Sequence, residues 1–162
     1  FRRVLFRSKS GIKSGIAALG AALLLSGCAG PRYADVAQRI SPIEPAEGRV
    51  YFYQPVTPSG DKIAQPAILV DGRKVGRSKP GRFFFVDRAA GELEVLTAAD
   101  RKARGNVLNV PLAAGQTQYV RVDISGGRQV LRLEESAETA QEALRDLRYW
   151  GAVRRDRENL RY

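Results

Sequence analysis

The chain has 162 residues, of which 44% are hydrophobic, and it carries 27 Lys and Arg against 17 Asp and Glu for a formal net charge of +10. It contains one Cys and no His, which excludes Ser-His-Asp and Cys-His catalytic centres and most zinc sites. Five of the basic residues and none of the acidic ones precede Cys28, so the chain from Cys28 onward has a net charge of +5.

The N-terminal part predicts a lipoprotein signal peptide. Residues 1–8 resemble a translated sequencing adapter, and since the chain has no Met we predict that they are non-native and that the true N-terminus is truncated. In residues 9–27, two lysines precede an apolar run that ends at residue 25, which is the order of a secretory signal. The run is shorter than the roughly 20 residues of a membrane-spanning helix.

The residues that close this run form a lipobox, Leu25-Ser26-Gly27-Cys28. Its small residues give a signal peptidase access to the backbone, and the thiol of Cys28 accepts a diacylglyceryl group. We therefore predict a covalent N-terminal lipid, including palmitate, and no other cofactor. Ala29 follows the cysteine, and by resemblance to the sorting rule for Gram-negative lipoproteins it favours the outer membrane, facing the periplasm.

This location changes the meaning of the positive charge. A basic chain would ordinarily indicate nucleic acid, but export removes nucleic acid as a partner and cleavage removes half of the excess charge. The remainder favours anionic lipid or acidic cell-wall polymers, or a simple solvated surface. Residues 28–47, which contain three prolines, predict a lipidated, Pro-rich tether with at most a helical turn within residues 33–40.

Residues 48–134 predict an all-β domain, an antiparallel β-sandwich of about seven or eight short strands. Turn signals recur every 8–12 residues, as in sandwiches and small barrels. Asp71-Gly72 stands between two apolar runs and predicts a hairpin turn, because both residues tolerate positive φ. The predicted strands cover residues 50–53, 67–70, 74–75, 82–86, 92–97, 106–110, 118–124 and 129–133.

Residues 135–162 predict a C-terminal α-helix and a basic tail. Ala137, Ala140, Leu144 and Leu147 give a narrow apolar stripe, and Thr139 with Glu142 forms a capping box if the helix begins there. The stripe indicates either a membrane- or partner-touching segment or, as we favour, a helix that covers one face or edge of the sandwich.

Three segments carry a family resemblance: Gly48-Arg-Val-Tyr-Phe-Tyr-Gln-Pro55, Val70-Asp-Gly-Arg-Lys-Val-Gly76 and Gly81-Arg-Phe-Phe-Phe-Val-Asp87. The chain resembles bacterial lipoproteins built on a conserved domain of unknown function, and it is similar to PEGA-type surface β-sandwiches. Residues 89–93 depart from the family pattern, where Pro-Gly and a histidine often occur. The resemblance implies an envelope lipoprotein without established catalysis.

The aromatic triplets on two strands are candidates for a binding surface. Neighbouring residues of a strand point to opposite faces. We therefore assign Phe52 and Phe84 to the core and leave Tyr51, Tyr53, Phe83 and Phe85 as a stacking surface for sugar or peptide, unless a second sheet buries part of it.

We predict no catalytic residue and no metal site. Glycoside hydrolysis needs only two carboxylates, and the nominal candidates are Asp87, Glu92, Glu94 and Asp100. The leading hypothesis is a non-enzymatic, membrane-anchored envelope protein that presents its sandwich to a protein or cell-wall partner. The alternatives are a peptidoglycan- or carbohydrate-binding module and, less favoured, a cell-wall hydrolase.

Overall fold

The computed structural model describes residues 30–57, 63–103 and 105–151. In these ranges the chain is mostly β-structure, with nine strands in two sheets, and this confirms the predicted β-sandwich. The strands are β1 (Glu47–Gln54), β2 (Ala67–Val70), β3 (Arg73–Arg77), β4 (Arg82–Ala89), β5 (Gly91–Thr97), β6 (Leu108–Leu112), β7 (Thr117–Ser125), β8 (Arg128–Leu133) and β9 (Arg148–Tyr149). The helices are α1 (Tyr33–Val36), which continues as a 3₁₀ turn at Ala37–Arg39, α2 (Ala98–Ala103) and α3 (Ala137–Leu144).

The first sheet has the strand order β8-β7-β1-β4-β9 and is mixed. Strands β1 and β4 are antiparallel, as are β7 and β8, but β1 runs parallel to β7 and β4 runs parallel to β9. The prediction of antiparallel pairing throughout is wrong at these two places. After β4 the chain forms β5 and β6 in the second sheet. It then returns to the first sheet as β7, which runs beside β1 in the same direction.

The second sheet has the order β3-β2-β5-β6 and is antiparallel. Asp71 and Gly72 make the two-residue turn between β2 and β3, with φ of 49° and 74°. The Asp71 carboxylate also accepts a hydrogen bond of 2.9 Å from the backbone N–H of Glu94. It thereby fastens the turn to β5, the neighbouring strand of the sheet.

The main core lies between the two sheets and is built from alternate residues of each strand. Phe52 and Phe84 stack at its centre with ring centroids 5.0 Å apart, in the core positions that the alternation predicts. Gly76 lies against Phe84, because a Cβ there would stand 2.8 Å from the Phe84 ring. Valine, leucine and isoleucine side chains of both sheets fill the remainder of this cluster.

A second apolar cluster lies on the other face of the first sheet, where α1 and α3 cover it. Ala140, Leu144 and Leu147 are buried there, so the C-terminal helix covers a face of the sandwich as favoured from the sequence. The helix begins one turn earlier than the proposed capping box, because Ser136 is its N-cap and accepts from the Thr139 N–H. Helix α2 was not predicted, since six residues carry no periodic pattern.

Candidate functional site

The predicted lipid site lies just before the part of the chain that the structure describes. Cys28 and the lipobox residues Leu25, Ser26 and Gly27 are outside the described residues. The first described residue, Gly30, has a φ of 64° and packs so closely on the Tyr149 carbonyl that a side chain would collide with it. Its own carbonyl accepts a hydrogen bond of 3.0 Å from Arg148 Nη1.

The segment after Gly30 is fixed to the sandwich. Tyr33 N–H donates to the Leu147 carbonyl at 2.9 Å, and Tyr149 N–H donates to the Pro31 carbonyl at 2.8 Å. Val36 is fully buried against the outer face of the first sheet. The prediction of a tether over residues 28–47 is therefore wrong for residues 30–40, which form an integral layer of the domain because their apolar side chains have a partner face.

The aromatic surface predicted from the strands is buried. Tyr51, Tyr53, Phe83 and Phe85 are all at most 5% exposed, and α1 and α3 cover them. Tyr33 packs edge-on against Tyr51 and Phe83, with ring centroids 5.7 and 5.4 Å apart. The prediction of an exposed stacking surface is wrong, because helices rather than a second sheet fill this face.

Burial also raises the pKa values of two tyrosines of this cluster. The pKa of Tyr51 is raised well above its ordinary value, chiefly by desolvation. The pKa of Tyr53 is raised by desolvation and by its hydrogen bond of 2.7 Å to the carboxylate of Glu134. Both phenols are therefore neutral structural groups at physiological pH.

A buried ion pair joins the first and last of the three family segments. Arg49 on β1 and Asp87 on β4 are register partners, and the guanidinium donates to both carboxylate oxygens at 2.7 and 2.8 Å. Arg49 Nη2 also donates to the Ser41 carbonyl at 2.9 Å, and its Cζ stands 4.6 Å from the Phe85 ring centre. Although burial alone lowers the pKa of Arg49, the Asp87 carboxylate outweighs it and raises that pKa. The pair holds the N-terminal segment on the sheet.

The four nominal acidic candidates lie in different surroundings. Asp87 is engaged by Arg49, and Asp100 accepts from the Thr97 hydroxyl at 2.7 Å. Glu92 and Glu94 are exposed on β5, where Leu93 and Val95 point inward. No cluster of three or more acidic or Cys side chains in the described ranges is placed to hold a metal ion. The same ranges contain no helix long and apolar enough to cross a bilayer.

A polar groove lies between β8 and the segment that leads into β6, at neighbouring edges of the two sheets. A cavity of about 110 Å³ lies between residues 106–108 and 128–131, and a second of about 60 Å³ lies beyond Asp100 and Arg128. Arg128 Nη2 stands 3.6 Å from Asp100 Oδ1 at the border of the two. Val107, at the lip, is 48% exposed.

Gln129, which lines this groove, belongs to a buried polar cluster with Gln54 and Ser78. Gln129 Nε2 donates to Gln54 Oε1 at 3.1 Å, and Ser78 Oγ donates to the same oxygen at 3.1 Å. Gln54 Nε2 and Gln129 Oε1 are buried without a hydrogen-bond partner. The sequence gives no signal for this cluster, because Gln54 ends β1 and Gln129 is the second residue of β8, and only the folded sheet brings them together.

The comparisons with known proteins identify a family of unknown function. The family model described as "Protein of unknown function (DUF2846)" matches residues 44–134, which is more than half of the chain and covers β1 to β8. The chain belongs to this family. No curated protein and no solved structure matches it.

Proposed function

We propose that this member of the DUF2846 family is a non-enzymatic lipoprotein of the bacterial envelope, anchored through Cys28 in the outer membrane and facing the periplasm. Its β-sandwich presents an open sheet edge to a protein partner. The motifs of the lipobox and the resemblance to envelope lipoproteins and PEGA-type domains support this function.

The observation that carries the proposal is the attachment of Gly30 to the folded domain. Two peptide units separate Cys28 from Gly30, a reach of at most about 7 Å. Gly30 is bonded to Arg148 and packed on Tyr149, so a lipid on Cys28 would hold the sandwich directly at the bilayer. Such close attachment suits a protein whose task is to place a binding surface near a membrane.

The surface offered to a partner is the outer edge of β8, with which no strand of the described residues pairs. Glu134 N–H donates to the Tyr119 carbonyl on β7, and backbone groups alternate along an antiparallel strand. The backbone N–H and C=O groups of Gln129, Leu131 and Leu133 therefore point away from β7, toward the groove. An extended peptide can add to such an edge through main-chain hydrogen bonds. We propose a protein segment in strand conformation as the ligand.

A cell-wall or carbohydrate module is the alternative. This alternative requires exposed aromatic side chains, but the four aromatic residues assigned to that role are buried. The groove is lined by Asp100, Asn106 and Arg128 and has no aromatic side chain among its lining residues. Binding to purified peptidoglycan at low and at high salt tests this alternative directly.

The anchor is tested by changing its cysteine. Cys28→Ala should abolish incorporation of labelled palmitate and leave an unprocessed precursor. Ala29→Asp, a matched change at the next residue, should keep the lipid and move the protein to the inner membrane. A Cys28→Ala protein that is still processed and labelled would refute the proposal.

The edge is tested by site-specific crosslinking in native envelopes. A photoreactive residue at Val107, on the lip of the groove, should give a defined adduct with one protein. The same residue at Lys74, which is exposed on β3, should not give it. Equal labelling from both positions, or labelling of glycan alone, would contradict a protein ligand at the β8 edge.

A further inference from the structure

The other edge of the first sheet, at β9, carries a surface that the edge of β8 does not explain. It surrounds Gly81, whose carbonyl accepts from the Arg148 N–H at 3.0 Å and whose N–H donates to the Gln54 carbonyl at 2.9 Å. Val56 borders it, since a Cβ on Gly81 would stand 3.1 Å from Val56 Cγ2. Trp150 lies beside Gly81, where its backbone N–H donates a hydrogen bond of 2.8 Å to the Phe83 carbonyl.

This surface is both apolar and basic. Val56 is 77% exposed and Trp150 is 39% exposed, and they are two of the three large hydrophobic residues exposed in the described ranges. Lys79 Nζ stands 4.0 Å from the centre of the Trp150 ring, and Arg82 Cζ stands 5.7 Å from it. We call Val56, Lys79, Arg82, Arg148 and Trp150 the basic-aromatic patch.

Two cations of the patch, Lys79 and Arg148, form no ion pair with a described carboxylate. In the described part of the chain, the ion pairs engage Arg49, Arg121, Arg128, Arg132 and Arg145, and none of them engages Lys79 or Arg148. A Trp with Lys and Arg around it is a combination suited to the interface of a bilayer, where the ring takes the headgroup level and the cations meet anionic lipid.

The start of the described chain lies at this patch. Arg148 belongs to the patch and binds the Gly30 carbonyl, and Gly30 packs on the carbonyl of the peptide that joins Tyr149 to Trp150. A lipid at Cys28 is separated from Gly30 by only two peptide units. The anchor and the patch are therefore neighbours, and an anchored chain brings the patch to the membrane at high effective concentration.

We propose that the basic-aromatic patch is a second membrane contact, which lies on the anionic headgroups of the bilayer that holds the Cys28 lipid. This inference rests on the proposed lipid anchor. The contact fixes the orientation of the sandwich, because β9 and β8 are opposite edges of the first sheet. With β9 against the membrane, β8 is the strand of the first sheet that lies farthest from it.

The test uses the fluorescence of Trp150, the only Trp in the sequence. The mature lipidated protein is reconstituted into vesicles of phosphatidylcholine with phosphatidylglycerol, with and without brominated acyl chains. We expect a blue-shifted Trp150 emission, its loss with the brominated lipid, and protection from aqueous iodide. Vesicles of phosphatidylcholine alone should give weaker quenching, and high salt should reduce it in the anionic vesicles.

Two variants and two matched controls locate the contact. Val56→Glu and Lys79→Glu should each restore much of the quenched emission. The measured quantity is the ratio of Trp150 emission with brominated lipid to that without it, so that a change in the surroundings of Trp150 cancels. Val107→Glu and Lys102→Glu make the same changes near the groove and α2, and they should leave the ratio unaltered. Val56 is so exposed that its substitution should not disturb folding.

The two proposals fail in different ways. If the protein floats with the vesicles while Trp150 is open to iodide and unquenched by brominated lipid, the anchor stands and the patch contact is refuted. If the patch and control variants change the ratio equally, the contact is also refuted. If the protein does not float with the vesicles and carries no lipid, the proposed anchor itself is wrong.

Discussion

The buried pair of Arg49 and Asp87 gives the sharpest prediction on stability. Arg49→Met keeps a long apolar stem over Phe85 but removes the charge and the hydrogen bond to the Ser41 carbonyl. Asp87, whose side chain is only 6% exposed, is then left as a buried carboxylate without its cation. Removing one partner of such a pair costs about 3–5 kcal/mol, which is a large share of the roughly 5–15 kcal/mol that stabilises a domain.

The assay is urea unfolding of a soluble form that begins at Ala29, followed by circular dichroism. With a slope of about 2 kcal/mol per M, the midpoint should fall by roughly 2 M. The double variant Arg49→Met with Asp87→Leu should recover most of this loss, because an apolar pair of similar volume often replaces a buried ion pair at little cost. A cost for Arg49→Met of under about 1 kcal/mol, as for surface pairs, would refute the reasoning. Additive losses in the double variant would also refute it.

Two further changes probe the core and the covered face. Gly76→Ala places a Cβ 2.8 Å from the Phe84 ring, so it should destabilise the domain by about 1–3 kcal/mol in the same urea assay, whereas Ala114→Gly in an exposed loop should change little. The pKa values of Tyr51 and Tyr53 in the folded protein lie above the unfolded value of about 10. The contribution of these neutral phenols to the free energy of unfolding is therefore complete below pH 10, and it is lost as the pH rises beyond about 10 toward the folded pKa values. Tyrosinate absorbance should thus appear together with unfolding, and Tyr53→Phe should flatten the alkaline loss of stability; a Tyr53→Phe protein with an unchanged alkaline profile would contradict this assignment.

Local pattern was sufficient for most strands of the sandwich, although β6 begins two residues later than predicted and β9 was not predicted. Alternation of polar and apolar residues requires no knowledge of distant partners, so Leu93 and Val95 were assigned to the core and Glu92 and Glu94 to solvent, as the structure has them. The turn at Asp71-Gly72 follows for the same reason, since two residues with positive φ select that connection by themselves. The surroundings of Gly81, in the third family segment, do not follow from local pattern. Its neighbours Val56 and Arg148 are far from it in sequence, and only the fold brings them together.

What the sequence by itself determined is therefore the all-β class, the hairpin, the core role of Phe52 and Phe84 and the covering role of the C-terminal helix. The tertiary structure alone decided the parallel pairing of β1 with β7, the burial of Tyr51, Tyr53, Phe83 and Phe85, and the packing of residues 30–40 on the sheet. The physical reason is that a strand pattern states which residues share a face, but it does not state what covers that face. Both faces of β1 are apolar. The second face is filled only because residues 30–40 and helix α3 pack across the sheet.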